Sequence, residues 1–501
     1  METETLHWSS HFFAISLTLI DLFIRLGLCI RVIMRQRQYG VTLAWLVIIL
    51  LLPFLGAVVY LFFGENRIGE TRAKRARESL NHYHHWLTSI RHISPVQWNL
   101  LPSSLEPIHN QADNLVGIPT MNGNNLELIE ESEKILCSII RDINNAKSTC
   151  HLQFYIWHDG GTADNVVDAL ITAAKRGVTC RVLVDSIGAK EFLQGTQIKR
   201  LRETGIRVIE SLPAGFFKAL FVRIDIRNHR KIVVIDGEIA YTGSQNMVDP
   251  RYFKQDSGVG QWVDTMVRIK GPVVEALAGT FISDWFLETD QEKIRSRSLA
   301  DDIQHIRSIA DVHHQPDSGD IPIQFVPSGP SFSQEAIHKL LLTTIYASRK
   351  NITLTTPYFV PDESILTALT SAAERGVDVR IIVPEKNDSR LVHYASQARY
   401  TAMLESGITI KLFQGGLLHS KTITVDDEFA LFGSVNIDMR SFWLNFEATL
   451  FIYHKGFTSK LREVQANYES NAHTLTVDNL QKRKFRHRFL ENAALIISPL
   501  L

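Results

Sequence analysis

One segment of this chain occurs twice, and the repetition limits the folds open to it. His229-Arg230-Lys231-Ile232-Val233-Val234-Ile235-Asp236 returns as His419-Ser420-Lys421-Thr422-Ile423-Thr424-Val425-Asp426, so both copies read H-x-K-x-x-x-x-D. Six residues further on, each copy continues into Gly-Ser-x-Asn, with Gly243, Ser244 and Asn246 in the first and Gly433, Ser434 and Asn436 in the second. Identical downstream spacing argues for a duplicated domain and against coincidence. The β-branched runs predict strands. Alternate residues of a strand share a face, so each His points the same way as the Lys two positions on. The Asp lies at an odd offset from its His. It belongs to the other face or to the strand end, and the spacing makes Asp236 and Asp426 structural.

The repeat extends beyond these motifs. Ala173-Ala174-Lys175-Arg176-Gly177-Val178 returns as Ala372-Ala373-Glu374-Arg375-Gly376-Val377. Each copy ends a helix-like stretch at a glycine and leads into a strand, Arg181 to Val184 or Arg380 to Val383. Gly205-Ile206 and Gly407-Ile408 then turn into a further strand. Strand and helix alternate, which predicts an α/β chain with a mixed sheet covered by helices. The expected domains are a first half at 126–294 and a second at 321–480. Between them, 295–320 is polar and acidic and reads as a linker.

Ahead of the repeat, residues 12–33 and 41–63 are two apolar runs, each about long enough to cross a bilayer as a helix. Asp21 and Arg25, four apart, share a helical face and are placed to pair. The expected arrangement is a transmembrane hairpin at 1–70 and a connector at 71–125. Glu2 and Glu4 stand where a cleaved signal would carry basic residues. Arg67, Arg72, Lys74, Arg75 and Arg77 follow the second run, against Arg31, Arg35 and Arg37 in the loop. The positive-inside rule then puts the long C-terminal part in the cytoplasm. The tail at 481–501 sets Lys482, Arg483, Lys484, Arg486, His487 and Arg488 before an apolar end. It suits either an anionic membrane surface or a helix docked on the core.

Charge and cysteine content narrow the chemistry. Lys plus Arg and Asp plus Glu both number 53, so no global basic field draws nucleic acid. Cys29, Cys137, Cys150 and Cys180 form no C-x-x-C and read as buried thiols. The clusters His82, His84, His85 and His313, His314 read as surface histidines, since no carboxylate or cysteine arrangement completes a metal site. Two His and two Lys brought together by duplication would form one near-symmetric pocket suited to a phosphodiester. Lys231, Lys421, Asn246 and Asn436 can hold non-bridging oxygens. One imidazole can attack phosphorus while the other serves as general acid and base. That route needs neither a metal nor a cofactor. A nucleophilic His needs its second ring nitrogen oriented, and Asp264 and Glu447 are candidates for that role.

On these residues the chain resembles the phospholipase D superfamily, and over nearly its whole length it resembles the bacterial cardiolipin synthases of that superfamily. Phe63-Gly64-Glu65-Asn66, Tyr155-Ile156-Trp157, Arg227-Asn228-His229, Thr356 to Pro361, Asn436 to Ser441 and Ser498 to Leu501 extend the resemblance. It implies two duplicated phospholipase D-like α/β/α sandwich domains with one shared active site behind the membrane hairpin. The catalytic set it carries over is His229, Lys231, Asp236, His419, Lys421 and Asp426. Ser244, Asn246, Asp264, Ser434, Asn436 and Glu447 would bind phosphate or orient the catalytic groups. It implies transfer of a phosphatidyl group from one phosphatidylglycerol to another, in the inner membrane, with His229 as nucleophile and His419 as acid and base. Water or phosphatidylethanolamine as acceptor, a nuclease, and a membrane scaffold with a relic site stay open. Ala214 to Phe221, before the first motif, would either admit acyl chains or form a core strand.

Overall fold

Both copies of the Ala-Ala-x-Arg-Gly-Val segment do what their glycines dictate. Helices Thr162–Lys175 and Glu363–Glu374 end just before Gly177 and Gly376, whose φ values of +94° and +88° lie where a side chain is disfavoured. The chain then enters strands Thr179–Asp185 and Asp378–Pro384. The structure is a computed structural model that describes residues 2–35, 39–65, 72, 74–75, 86–91, 93–213, 223, 225–289, 307–308, 311–330 and 335–497. Ala214 to Phe221, the histidines at 82, 84 and 85, and most of the expected linker lie outside the described residues.

The first half contributes β1 (Met121–Ile129), β2 (Thr149–Phe154), β3 (Thr179–Asp185), β4 (Arg207–Ser211), β5 (Ile232–Ile235), β6 (Ile239–Gly243) and β7 (Met266–Lys270). The second contributes β8 (Ile321–Ser328), β9 (Asn351–Thr355), β10 (Asp378–Pro384), β11 (Thr409–Phe413), β12 (Thr422–Val425), β13 (Phe429–Gly433), β14 (Glu447–Ile452) and β15 (Ala472–Thr474). Among the described residues these strands form one 15-stranded sheet, in the order β15-β11-β10-β9-β12-β13-β14-β8-β1-β7-β6-β5-β2-β3-β4. Apart from the edge strand β15, the order reads the same outward from the β8–β1 seam in both directions. The seam is antiparallel and irregular, pairing Met121 with Ile323 and Asn124 with Ile321. The boundary expected at residue 126 therefore falls inside β1, beyond the residues Met121 and Asn124 that join the halves.

Each half carries helices on both faces of its sheet. In β5, Ile232 and Val234 face the helix Val273–Glu288, whereas Val233 and Ile235 face Ser132–Asn145 and Thr162–Lys175. The period of two in β5 thus buries both faces of the strand. Each large aliphatic side chain so buried contributes about 2 kcal/mol.

The described N-terminal residues, up to Glu65, belong to a second compact unit. Helix Glu2–Met34 contains His11–Met34, the one stretch among the described residues long and apolar enough to cross a membrane as a single helix. Asp21 and Arg25 pair along it as expected. The second apolar run differs from expectation. It is two helices, Tyr39–Leu51 and Leu55–Phe63, broken at Pro53. Proline removes a donor and clashes with the preceding turn. Phe54 beside it sits at φ +52° and donates its backbone N–H to Asp21 Oδ1 at 2.8 Å. Asp21 thus satisfies a backbone group that the break sets free.

Candidate active site

The two motifs converge because each is zipped to the opposite half just upstream of its histidine. Asn228 bridges to Phe446, and His229 donates its backbone N–H to Phe446 O at 2.9 Å. Leu417 and Leu418 pair in parallel with Trp262 and Val263, and His419 donates to Val263 O at 2.8 Å. Phe446 and Val263 immediately precede Glu447 and Asp264. The pairing therefore delivers to each histidine a carboxylate from the other half.

His229 Nδ1 lies 2.9 Å from both oxygens of Glu447, and His419 Nδ1 lies 2.6 Å from Asp264 Oδ1. An ionised carboxylate only accepts, so each Nδ1 carries the proton and each Nε2 is left with its lone pair. The serines of the two Gly-Ser-x-Asn segments hold the carboxylates from behind. Ser244 Oγ donates to Asp264 Oδ1 at 2.6 Å, and Ser434 Oγ to Glu447 Oε2 at 2.5 Å. Each hydroxyl in turn accepts a backbone N–H, from Thr265 at 3.0 Å and from Ala448 at 2.9 Å. Lys231 and Lys421 fold back so that Nζ donates to the carbonyl of the histidine two residues earlier, at 2.6 and 2.5 Å. That contact uses one of three ammonium protons on each lysine. Asn246 Oδ1 accepts from the backbone of Ile156 at 3.1 Å, while its buried Nδ2 has no partner among the described residues.

The chain belongs to the phospholipase D-like cardiolipin synthase family. The family model described as cardiolipin synthase, PLD-like domain matches residues 139–285 and 341–468, and one described as phospholipase D-nuclease N-terminal matches 25–65. Cardiolipin synthase A of Yersinia pseudotuberculosis serotype O:1b (strain IP 31758) is 42% identical over 475 residues, covering 95% of this chain and 96% of that protein. Cardiolipin synthase A of Yersinia pestis matches to the same degree. Among solved structures, the phosphatidylserine synthase of Haemophilus influenzae Rd KW20 covers 80% of this chain and all of its own, with a TM-score of 0.58 at 15% identity, a likeness of fold.

Burial sets the electrostatics of the family's site here. His229, Lys231, His419, Lys421, Asp264 and Glu447 are all buried. Loss of water pushes both imidazoles down to about 4, against the pull of Glu447 on His229 and of Asp264 on His419. Burial likewise lowers Lys231 to about 7 and Lys421 to about 8, opposed by the carboxylates. For Asp264 and Glu447 burial opposes ionisation, but the facing His and Lys outweigh it and keep both carboxyls below their ordinary range. At neutral pH the site thus holds two carboxylates, two neutral imidazoles and two lysines near their titration points.

Asp236 and Asp426, which the resemblance carried over into the catalytic set, stand apart from this cluster. Asp236 accepts the backbone N–H groups of Lys147, Ser148 and Thr149 at 2.8–3.1 Å, and Asp426 those of Arg349, Lys350 and Asn351 at 2.6–3.1 Å. Both sit at positive φ, +52° and +54°, and clamp the turn that starts the neighbouring strand. The odd offset from His had placed them off the reactive face.

Other contacts were not visible in the motif. Tyr155 meets the His229 ring edge-on at 5.0 Å, and Trp262 tilts against His419 at 4.3 Å. Asn445 Nδ2 donates to Glu447 Oε1 at 3.2 Å, whereas Asp264 Oδ2 has no hydrogen-bond partner among the described residues. Trp262 and Asn445 each stand two residues before the acid, so the half-sites differ at equivalent positions. Arg230, fully buried, donates to the carbonyls of Glu447 and Ser328 at 2.9 and 3.0 Å and pairs with Asp284. Among the described residues no group of three or more His, Cys, Asp or Glu stands ready to hold a metal ion.

Two outcomes are expected. Asp236→Ala removes the acceptor of three N–H groups and should lower stability by about 1–3 kcal/mol. Turnover per folded molecule should stay near the parent value, as thermal unfolding and specific activity would report. Separately, a phosphodiester anion adds negative charge beside neutral imidazoles and raises their proton affinity. Calorimetric binding of a non-hydrolysable phosphonate in buffers of differing ionisation enthalpy, between the His and Lys values of about 4 and about 7, should show net proton uptake. Proton release would contradict this charge state.

Proposed function

We propose that this chain makes cardiolipin and glycerol from two molecules of phosphatidylglycerol through a phosphatidyl-histidine. The observation that carries the reading is the crossed pair of His–carboxylate dyads in one buried centre, together with the relatives' activity. Glu447 holds the Nδ1 proton of His229 and leaves Nε2 free to attack phosphorus. The P–N bond forms as the P–O bond to glycerol breaks. His419, protonated once the phosphodiester has entered, gives its Nε2 proton to the departing oxygen. The hydroxyl of a second phosphatidylglycerol then loses its proton to His419 and attacks phosphorus. The P–N bond breaks, His229 returns to its neutral form, and cardiolipin leaves. Lys231 and Lys421, each with two unspent ammonium protons, and the Nδ2 of Asn246 are placed to stabilise charge on the non-bridging oxygens. Asn436, at the matching position, would serve the same phosphate.

The chain associates with membranes. Its finer placement is an inner-membrane protein with more than one pass and its catalytic halves in the cytoplasm. The break at Pro53 is compatible with a second pass, because in lipid a freed backbone N–H must find an internal acceptor and Asp21 provides one. Arg72, Lys74 and Arg75 beyond that run favour the cytoplasmic side. We keep residues 1–70 as the membrane segment and 295–320 as linker between the catalytic halves. The connector is shortened to 71–120 so that the first half includes β1, and 481–501 is treated with the second.

Lipid analysis of cells expressing the chain tests the reaction. Cardiolipin should rise at the expense of phosphatidylglycerol, and His229→Ala or His419→Ala should each abolish the rise, since the two imidazoles act as one unit. Accumulation of phosphatidic acid instead would make the enzyme a hydrolase. The crossed pairing yields a sharper outcome. With a donor whose leaving group departs without protonation, His419→Ala and Asp264→Asn enzymes should still accumulate an adduct on His229, because both changes affect only the acid. Glu447→Gln should lose adduct formation by roughly 10²–10⁴-fold, and His229→Ala should form none. Mass spectrometry locates the group. An adduct on His419 would exchange the two roles, and a loss on Asp264→Asn matching that of Glu447→Gln would defeat the division of labour.

A further inference from the structure

The cations and apolar residues that the sequence sets in consecutive blocks interleave on one helix, Phe485–Ile497. At roughly 100° per residue, Phe485, Phe489 and Ile496 fall on one stripe about 40° wide. They are 82%, 63% and 75% exposed. The opposite side is spoken for: Ala494 packs buried with Val360 and Ala395, and Glu491 takes the guanidinium of Arg483 at 2.8 Å. The helix is thus docked through one side on Arg390–Glu405 and leaves the three side chains of this stripe facing outward, while Leu490, off the stripe, is 45% exposed. Arg486 and Arg488, both exposed, project from either flank of the stripe, and Lys482 and Lys484 stand exposed at its start. The helix's one acid, Glu491, is already paired.

We propose that this face is an in-plane docking surface for an anionic lipid bilayer. A shallow apolar stripe flanked on both sides by long cations matches the headgroup boundary, where the rings enter the acyl region and the cations meet phosphates. A chain of contacts links the helix beneath this surface to the reactive centre. Helix Arg390–Glu405 starts just after Asp388, which accepts from the Tyr358 hydroxyl at 2.7 Å and pairs with Lys254 at 3.2 Å. Lys254 lies over the Trp262 ring that tilts against His419. Bilayer contact here would seat the catalytic halves at the depth where a lipid phosphate lies. The inference needs the chain to sit at a membrane and does not depend on which lipid it makes.

The test places the photo-crosslinker p-benzoylphenylalanine at position 489 of the full chain. Tyr346, an exposed aromatic on the helix Ala336–Ala347, serves as the comparison position. The protein is reconstituted in nanodiscs of phosphatidylcholine with or without phosphatidylglycerol, irradiated and analysed by mass spectrometry. A lipid adduct at 489 is expected, several-fold above position 346. It should be greater in the anionic discs and fall several-fold when Arg486→Gln and Arg488→Gln are added. An adduct to a second copy of the chain, or a lipid yield at 489 no higher than at 346, overturns the proposal, as does indifference to phosphatidylglycerol. Cardiolipin formation assayed in detergent on the same samples reports on the reaction alone, so failure of the surface and failure of the reaction are read separately.

Discussion

The hydrogen bond between each histidine and a carboxylate of the opposite half is the interaction on which the rest depends. It decides which imidazole nitrogen carries the proton, and hence which one faces the substrate. It also makes the halves interdependent, since neither contains both members of a working pair. The covering architecture follows from this need. The β8–β1 seam joins two sheets into one, and the short parallel pairings at Phe446 and Val263 fix the acids to within hydrogen-bond distance of rings more than 150 residues away in sequence.

Burial gives these contacts their strength and also their cost. Six ionisable side chains share a space without bulk water, and water's absence moves every one of them toward neutrality. The alternation of acids and lysines keeps the cluster from being merely an unpaired charge in a protein interior, which would cost several kcal/mol per ion. Arg230 shows the same logic outside the reactive face: its guanidinium is wholly buried, and carbonyls of the second half together with Asp284 meet its donors.

Much of this was legible in the chain. The duplicated motif, the helix-ending glycines and the β-branched runs follow from local chemistry, and the strands and helices form where those signals stand. The offset of Asp236 and Asp426 also marked them as structural, and they clamp turns. What escaped was long-range. No local pattern says that Glu447 serves His229 while Asp264 serves His419, because that choice is made by backbone pairing between halves. The continuity of β1 with the second half was hidden for the same reason, and led to a boundary drawn through a strand. In the second apolar run, hydropathy alone reads through Pro53, whereas the backbone does not. In the tail, cations and apolar residues looked consecutive in a linear reading and proved interleaved once wound on a helix.

Asn445 has a consequence for direction. In a perfectly two-fold site, a phosphodiester would meet the same surroundings whichever way round it entered, and attack from either side would be equally frequent. Asn445 supports one carboxylate, and Trp262 occupies the matching place beside the other. The two senses of passage across the centre are then no longer equal in free energy, and a difference of only about 1.4 kcal/mol would route ten molecules one way for each that goes the other. Two halves carried on one chain are free to differ in this way, whereas a mutation in a homodimer would alter both sides at once.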